Sequence, residues 1–381
     1  MSKMKKIILS TFLAVSCLFS SLSALTWSGI IDNNSKLSAN NDFSQLGLKQ
    51  SNGVYLSLAS NLNEAGNLRF VAEGLYKYSL NCVFPAGSAS FTNILDVDLL
   101  KFAGNWTIGD GLFALSLGRF QYSDFSGFVF SQVSDGAYLS YDTLKTKTAI
   151  YAGYTGLLNR LNVSMAENMY GPGDQLYALC PKYVPVAADF TYKALFGSNT
   201  LGFQALCFIP VTEENTMKFY GTLVANGYFG TLASYDVRVT LGTEKFESLM
   251  LDVKLDTNFF VNSNLVVLAG AEYASGNQGS IKPFLTLSTY TFGNSPIRNG
   301  AIVPKVGLVF AANKIYAGLT ERVILSMPAD QIAFNGLDTS VNVLYNLFSD
   351  VQLGLDIGAY ICIESKDLSN YFATLKASLA F

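Results

Sequence analysis

The chain is 381 residues long, 50% hydrophobic and 13% aromatic, yet only 14% charged, against roughly 25% in ordinary soluble domains. A formal net charge of −3 excludes a basic nucleic-acid-binding face, and the absence of histidine removes histidine-based proton transfer and histidine-ligated zinc. Beyond the N-terminus there is no uncharged apolar stretch of the roughly 18 residues that a spanning helix needs, so membrane insertion has to rely on strands.

Lys3, Lys5 and Lys6 precede an apolar run from Ile7 to Val15, and small residues follow at Ser21, Ser23 and Ala24. That order of charge, apolar core and cleavage site predicts a secretory signal over residues 1–24. Leu13-Ala14-Val15-Ser16-Cys17 also has the look of a lipoprotein box that would leave Cys17 lipidated, although the apolar core runs on to Leu22. Residues 25–381 then form a single domain. Its first part, 25–50 with Asp32-Asn33-Asn34, is expected to be a short N-terminal segment or a first strand.

Clear strand periodicity begins at Leu68. Leu68, Phe70, Ala72, Gly74, Tyr76 and Tyr78 fall on one face, with Arg69, Val71, Glu73, Leu75 and Lys77 on the other. A helix would scatter these charges, whereas a strand gives one apolar and one wet face. The pattern returns at Val184–Ala194, Ala233–Leu241, Leu249–Asp256 and Val351–Ile363, and closes at Tyr371–Phe381, where Tyr371, Ala373, Leu375, Ala377, Leu379 and Phe381 oppose Thr374, Lys376 and Ser378.

Shorter candidates are Val54–Ala59, Ile94–Phe102, Leu112–Phe120, Ala137–Asp142, Thr148–Thr155, Leu201–Ile209 and Met217–Asn226. Leu265–Ala274, Ile281–Phe292, Ile302–Ala311, Ile315–Leu325 and Ser340–Phe348 complete the set. Segments of about 9–12 residues match a tilted strand crossing the hydrocarbon. The fold class is therefore all-β, a transmembrane antiparallel β-barrel with an even strand number of 14, 16 or 18. A soluble sandwich also alternates, but so many apolar outer faces would be hard to bury within one domain.

Loop lengths test the topology, since such barrels have short turns at one end and long loops at the other. Ser349-Asp350 is a short turn, and the connection before Ser340 is long. Counted backwards, the long segment Gly156–Tyr183 falls on the wrong side, which points to a parity error in the middle or to a missed strand near Asn41–Lys49.

The wet face supplies the candidate pore-lining residues: Arg69, Glu73, Lys77, Asp189, Lys193, Lys218, Asp236, Arg238, Asp252, Lys254, Asp256, Glu272, Asp356 and Lys376. Opposite charges at nearby depths suit a transverse field, or pairs that keep the interior hydrated and rigid. Gly156–Tyr183, interrupted by Gly171-Pro172-Gly173, is either an external loop or a constriction loop whose test residues are Glu167, Tyr170 and Asp174. Cys82 and Cys180 fall in expected connections and are candidates for a disulfide, which export would permit; Cys207 and Cys362 fall in strands. Tyr76, Tyr78, Phe102, Tyr235, Tyr273, Tyr345 and Tyr371 suit interfacial girdles.

Signal, amphipathic strands and a terminal aromatic together resemble a Gram-negative-type outer-membrane channel, and the likeness runs over nearly the whole chain. The resemblance implies that the barrel-assembly machinery reads the last strand: Leu379 and Phe381 match its hydrophobic positions, while Lys376 stands where glycine is common. It also implies residence in outer-membrane lipid and passive diffusion of small hydrophilic solutes, without enzymatic activity, cofactor, metal or nucleic acid. Alternatives are a transporter of hydrophobic compounds past an N-terminal plug, for which 25–50 looks short, and a surface structural or adhesion barrel. The oligomeric state is left open.

Overall fold

The computed structural model describes residues 25–154, 157–159, 165–166, 177–179, 182–195, 197–328 and 331–381. The expected signal 1–24 with Cys17, the residues Glu167, Tyr170 and Asp174, and Cys180 lie outside the described residues. The strands, in order, are β1 (Leu25–Asn40), β2 (Leu46–Asn61), β3 (Leu68–Phe84), β4 (Ser88–Ile108), β5 (Gly111–Ser123), β6 (Ser131–Asp142) and β7 (Thr146–Tyr154). Two short strands, β8 (Leu157–Asn159) and β9 (Tyr177–Leu179), pair only with each other. The wall resumes with β10 (Tyr183–Leu195), β11 (Asn199–Pro210), β12 (Lys218–Phe229), β13 (Ala233–Glu244), β14 (Met250–Phe260) and β15 (Leu265–Ala274). It ends with β16 (Ala301–Ala312), β17 (Ile315–Ser326), β18 (Ala333–Asn346), β19 (Val351–Cys362) and β20 (Asn370–Ala380).

Eighteen of these strands form one antiparallel sheet that closes on itself. β7 pairs directly with β10, and β1 with β20. Closure removes every sheet edge, which is what lets strands sit in lipid with their backbone groups satisfied. At the seam Ile31 faces Leu379 and Asn34 faces Lys376, and Gly29 and Phe381 exchange backbone hydrogen bonds of 2.8 and 2.9 Å. Gly29 has no side chain because the Phe381 ring occupies the place a Cβ would take.

Turns at one end are short, at 109–110, 143–145, 196–198, 230–232, 261–264, 313–314 and 347–350, while the two longest connections, 155–182 and 275–300, lie at the other. That asymmetry, short turns at one end and long connections at the other, is the one that membrane barrels show. Along most strands apolar outer residues alternate with the residues that face the lumen.

One open sequence reading is resolved and one is corrected, and the corrected one explains the parity problem. Residues 25–50, left open between a short segment and a first strand, hold all of β1 and the start of β2. Alternation is hidden in β1 because Ile30 and Ile31 are adjacent and residues 32–36 are all polar, so both faces read as polar at mid-strand. Ile281–Phe292, read as a strand, is irregular and lies within the 275–300 connection. Pro283 and Pro296 lack the N–H a ladder needs, and Gly279, Gly293 and Gly300 adopt positive φ. One strand left out of the list and one false one in it kept the total at eighteen.

Several strands also exceed the expected length: β3 has 17 residues and β4 has 21. Cys82 accordingly lies inside β3, not in a connection, and is a free thiol. A β-bulge at Asp98 shifts the register between β3 and β4, so that Glu73 faces Leu99 while Gly74 faces Val97.

Candidate functional site: the lumen and its constriction

Two connections fold back into the barrel. The first, 124–130, is a tight turn whose geometry is set by one carboxylate. Asp124 Oδ2 accepts from the Ser126 amide at 2.9 Å and from the Ser126 hydroxyl, and Asp124 Oδ1 accepts from the Phe130 amide at 2.9 Å. Ser126 Oγ in turn accepts from the amides of Phe128 and Val129 at 3.2 and 3.0 Å. These local bonds replace ladder bonds and turn the chain inward.

The wall holds the turn from the far side. The Phe125 amide donates to Gln204 Oε1 at 2.8 Å, and Arg238 Nη1 donates to the carbonyls of Phe125 and Ser126 at 3.2 and 3.0 Å. Gln204 Nε2 also donates to Asp189 Oδ1 at 2.7 Å. Burial pushes the Asp124 carboxyl above the usual carboxylate range, opposed by the hydrogen bonds it accepts from Ser126 and Phe130.

The second inward connection, 275–300, packs on the first. The amides of Leu287 and Ser288 donate to the Val129 carbonyl at 2.8 and 3.2 Å, and the Ser131 amide donates to Ser288 Oγ at 2.7 Å. Phe128 stacks on Tyr290 with ring centroids 4.6 Å apart. Around them Phe130, Tyr151, Phe208, Tyr220, Phe284 and Leu287 form a dry core within the barrel. The long connection after β7 also reaches this place. Met165 is buried against the core, forms an isolated bridge with Ser288, and Ala166 N donates to Leu287 O at 2.8 Å.

The lumen is therefore filled on the β5–β15 side and left open on the other. There Lys36, Lys49 and Lys77 line a cavity of about 340 Å³ together with Asn34, Ser51 and Thr92. Lys36 and Lys49 face each other across β1 and β2. These three lysines form no ion pair with any of the described residues, whereas Lys36 Nζ lies 4.4 Å from the Phe372 ring centre. A second cavity of about 200 Å³ lies between the inward segment and the wall, where Lys254, Lys305 and Arg322 face one carboxylate, Glu272.

The candidate residues read from the sequence are distributed through this arrangement. Asp236 pairs with Arg238 at 2.7 Å, Lys254 lies 3.7 Å from Asp256, and Asp256 also contacts Lys305 at 2.5 Å. Lys193 pairs with Asp142, Lys218 with Glu244, and Asp356 with Lys376. Glu73 accepts from Ser57, and Glu272 from Tyr290. Asp252 is buried with neither carboxylate oxygen hydrogen-bonded to a described residue. Arg69 shares the lumenal row of β3 with Glu73 and Lys77.

Sequence reasoning missed Lys36, Lys49, Asp124, Lys305, Arg322 and Asp338. Asp338 is fully buried, pairs with Arg322 at 2.7 Å, and accepts from Asn294 Nδ2 at 2.7 Å, which ties the inward segment to β18. Lys305 stands opposite Val306 in a strand that was recognised, so its parity already placed it in the lumen; Asp124 needed the turn.

No protein-family model matches the chain, and no curated protein matches it in sequence. Solved structures share its fold. Pseudomonas aeruginosa OccK7 (OpdD) superposes with a TM-score of 0.66 at 10% identity, over 94% of this chain and 99% of that one. Acinetobacter baumannii OccAB4 gives 0.63 at 12% identity, over 94% and 99%. Pseudomonas aeruginosa OccK2 (OpdF), solved with glucuronate, gives 0.61 at 11% identity, over 95% and 97%. At such identity the likeness is one of fold, a closed antiparallel barrel of eighteen strands.

Proposed function

We propose that this protein is an outer-membrane channel through which small hydrophilic solutes diffuse passively. The observation that carries the reading is the eccentric lumen: one side sealed by inward segments on an aromatic core, the other a polar cavity edged by Lys36, Lys49 and Lys77. Three ammonium groups without carboxylate partners among the described residues favour solutes bearing a carboxylate. The fold-sharing channel solved with glucuronate, a small carboxylated sugar, fits the same chemistry.

Transport of hydrophobic compounds past an N-terminal plug is less well supported, because residues 25–50 belong to the wall. Residues 1–24 would direct export, and the outward Leu379 and Phe381 would be read during barrel assembly.

In planar bilayers the purified, heat-modifiable protein is expected to give discrete conductance steps, and proteoliposomes to swell faster in glucuronate than in a neutral sugar of equal size. Folded protein that gave neither conductance nor swelling would overturn the reading; equal swelling in both sugars would remove the carboxylate preference alone.

A further inference from the structure

The lipid-facing wall is not apolar all round. On β1 and β2 the outward row carries Asn33, Ser35, Gln50 and Asn52, flanked along the strands by Ile31, Leu37, Leu48 and Val54. Their side chains bond to one another. Asn33 donates to Asn52, Ser35 Oγ donates to Gln50 Oε1 at 2.5 Å, and Gln50 Nε2 lies 3.4 Å from Asn52 Oδ1. The Asn52 amide nitrogen, with two protons to donate, donates to none of the described residues.

This cluster lies at membrane depth, not at a rim. Below it Trp27 packs edge-on against Phe381, with centroids 6.0 Å apart, and above it Phe43 stacks on Tyr371 at 5.3 Å. Such paired rings mark the two interfaces of the apolar band, so the amides fall between them, where lipid offers no hydrogen-bond partner.

The polar face continues sideways. Tyr76 donates to Asn93 at 3.0 Å on the outside of β3 and β4. Beyond them Arg119 and Asp135 face each other across β5 and β6, in the same outward rows as Leu117 and Leu139, and bond twice at 2.7 and 2.9 Å. This pair edges an outer groove of about 790 Å³, whose walls include Gly74, Leu95, Val97 and Leu100. The outer rows of β10–β12 are apolar, with Phe190, Phe203 and Leu223 exposed; on the remaining wall, Glu321, bonded to Thr339, is a separate outward acid on β17.

We propose that the β1–β6 face is the interface through which this barrel assembles with further copies of itself in the plane of the membrane. Arg119 is held by Asp135 and lies 3.7 Å from Asp96, which also lines the groove, so its charge is met within the chain. The amides of the face supply donors and acceptors together, so a second copy presents the complementary set. A concave groove beside a raised amide cluster gives packing as well as hydrogen bonds. The assembly is independent of which solute the lumen carries.

The test uses the full-length protein in native-membrane nanodiscs. Native mass spectrometry is expected to show two or more copies, and a photo-crosslinking residue at Gln50 to join copies, whereas one at Leu255 on the far wall does not. Asn33→Leu, Gln50→Leu and Asn52→Leu combined are expected to reduce the assembly to a single-copy mass, with heat-modifiability and the conductance of each pore retained. Arg119→Leu with Asp135→Leu should do the same. A single-copy wild-type mass, crosslinks from Gln50 only to lipid or to another protein, or an undiminished assembly in both folded variants would overturn the proposal. Because the crosslinking arm needs only one substitution, it reads the interface even where the combined variants fail to fold.

Discussion

At the scale of single residues, two buried carboxylates hold the constriction. Asp124 accepts the bonds that turn 124–130 inward, so Asp124→Ala strands the Ser126 and Phe130 amides at about 1–3 kcal/mol for each unsatisfied group, and the expected result is a noisier, wider pore. Asp124→Asn keeps one acceptor oxygen but sets an NH2 group against a donor, so its noise should fall between wild type and Asp124→Ala. Because burial raises the carboxyl's pKa, the inward turn binds a proton more tightly than the free chain does. Its order is therefore favoured below the ordinary carboxylate pKa and lost progressively as pH rises through the raised value. Open-channel noise should accordingly increase with pH across that window, and the dependence should vanish in Asp124→Asn. Asp338→Ala leaves Arg322 beside a buried vacancy, a change that costs about 3–5 kcal/mol when a buried pair is broken, and lowers the temperature at which the barrel becomes heat-denatured.

Among the elements, the lysine row on β1–β3 and the inward segment 275–300 have separable roles. Lys36→Ala, Lys49→Ala and Lys77→Ala together are expected to move the reversal potential under a salt gradient towards cation preference. The shift should be larger at 0.1 M than at 1 M salt, where the screening length falls from about 10 Å to about 3 Å. Replacing residues 276–299 with a short turn removes Phe284, Leu287 and Tyr290 but leaves the β15–β16 ladder intact, so a severalfold larger unitary conductance is expected from a barrel that still assembles. At the seam, Gly29→Leu drives a side chain into the Phe381 ring. Overpacking of this kind costs about 1–3 kcal/mol, and a lower heat-modifiability temperature checks it.

Over the whole molecule, closure by β1–β20 pairing decides that there is a lumen at all, and the three connections that meet near Val129 and Ser288 decide its shape. An open barrel of eighteen strands would be a wide, weakly discriminating pore. Filling one side with an aromatic core shifts the remaining passage against the lysine-bearing wall, which couples solute size to charge.

The sequence by itself determined the architecture, because period-two alternation with most charges on one face admits a strand between lipid and water and little else. Rows such as Glu73 with Lys77, Asp236 with Arg238, and Lys254 with Asp256 were assigned to a wet face from parity alone. β1 stayed open between a segment and a strand because Asn33 and Ser35 put polar groups on the lipid side, and Ile281–Phe292 passed for a strand because its apolar residues bury in a lumenal core instead of alternating across a wall. Only the tertiary structure decided what the two irregular connections do. Their hydrogen-bond partners, Val129 with Leu287 and Asp338 with Asn294, are far apart in the chain, and no local pattern encodes a contact made across the inside of a closed barrel.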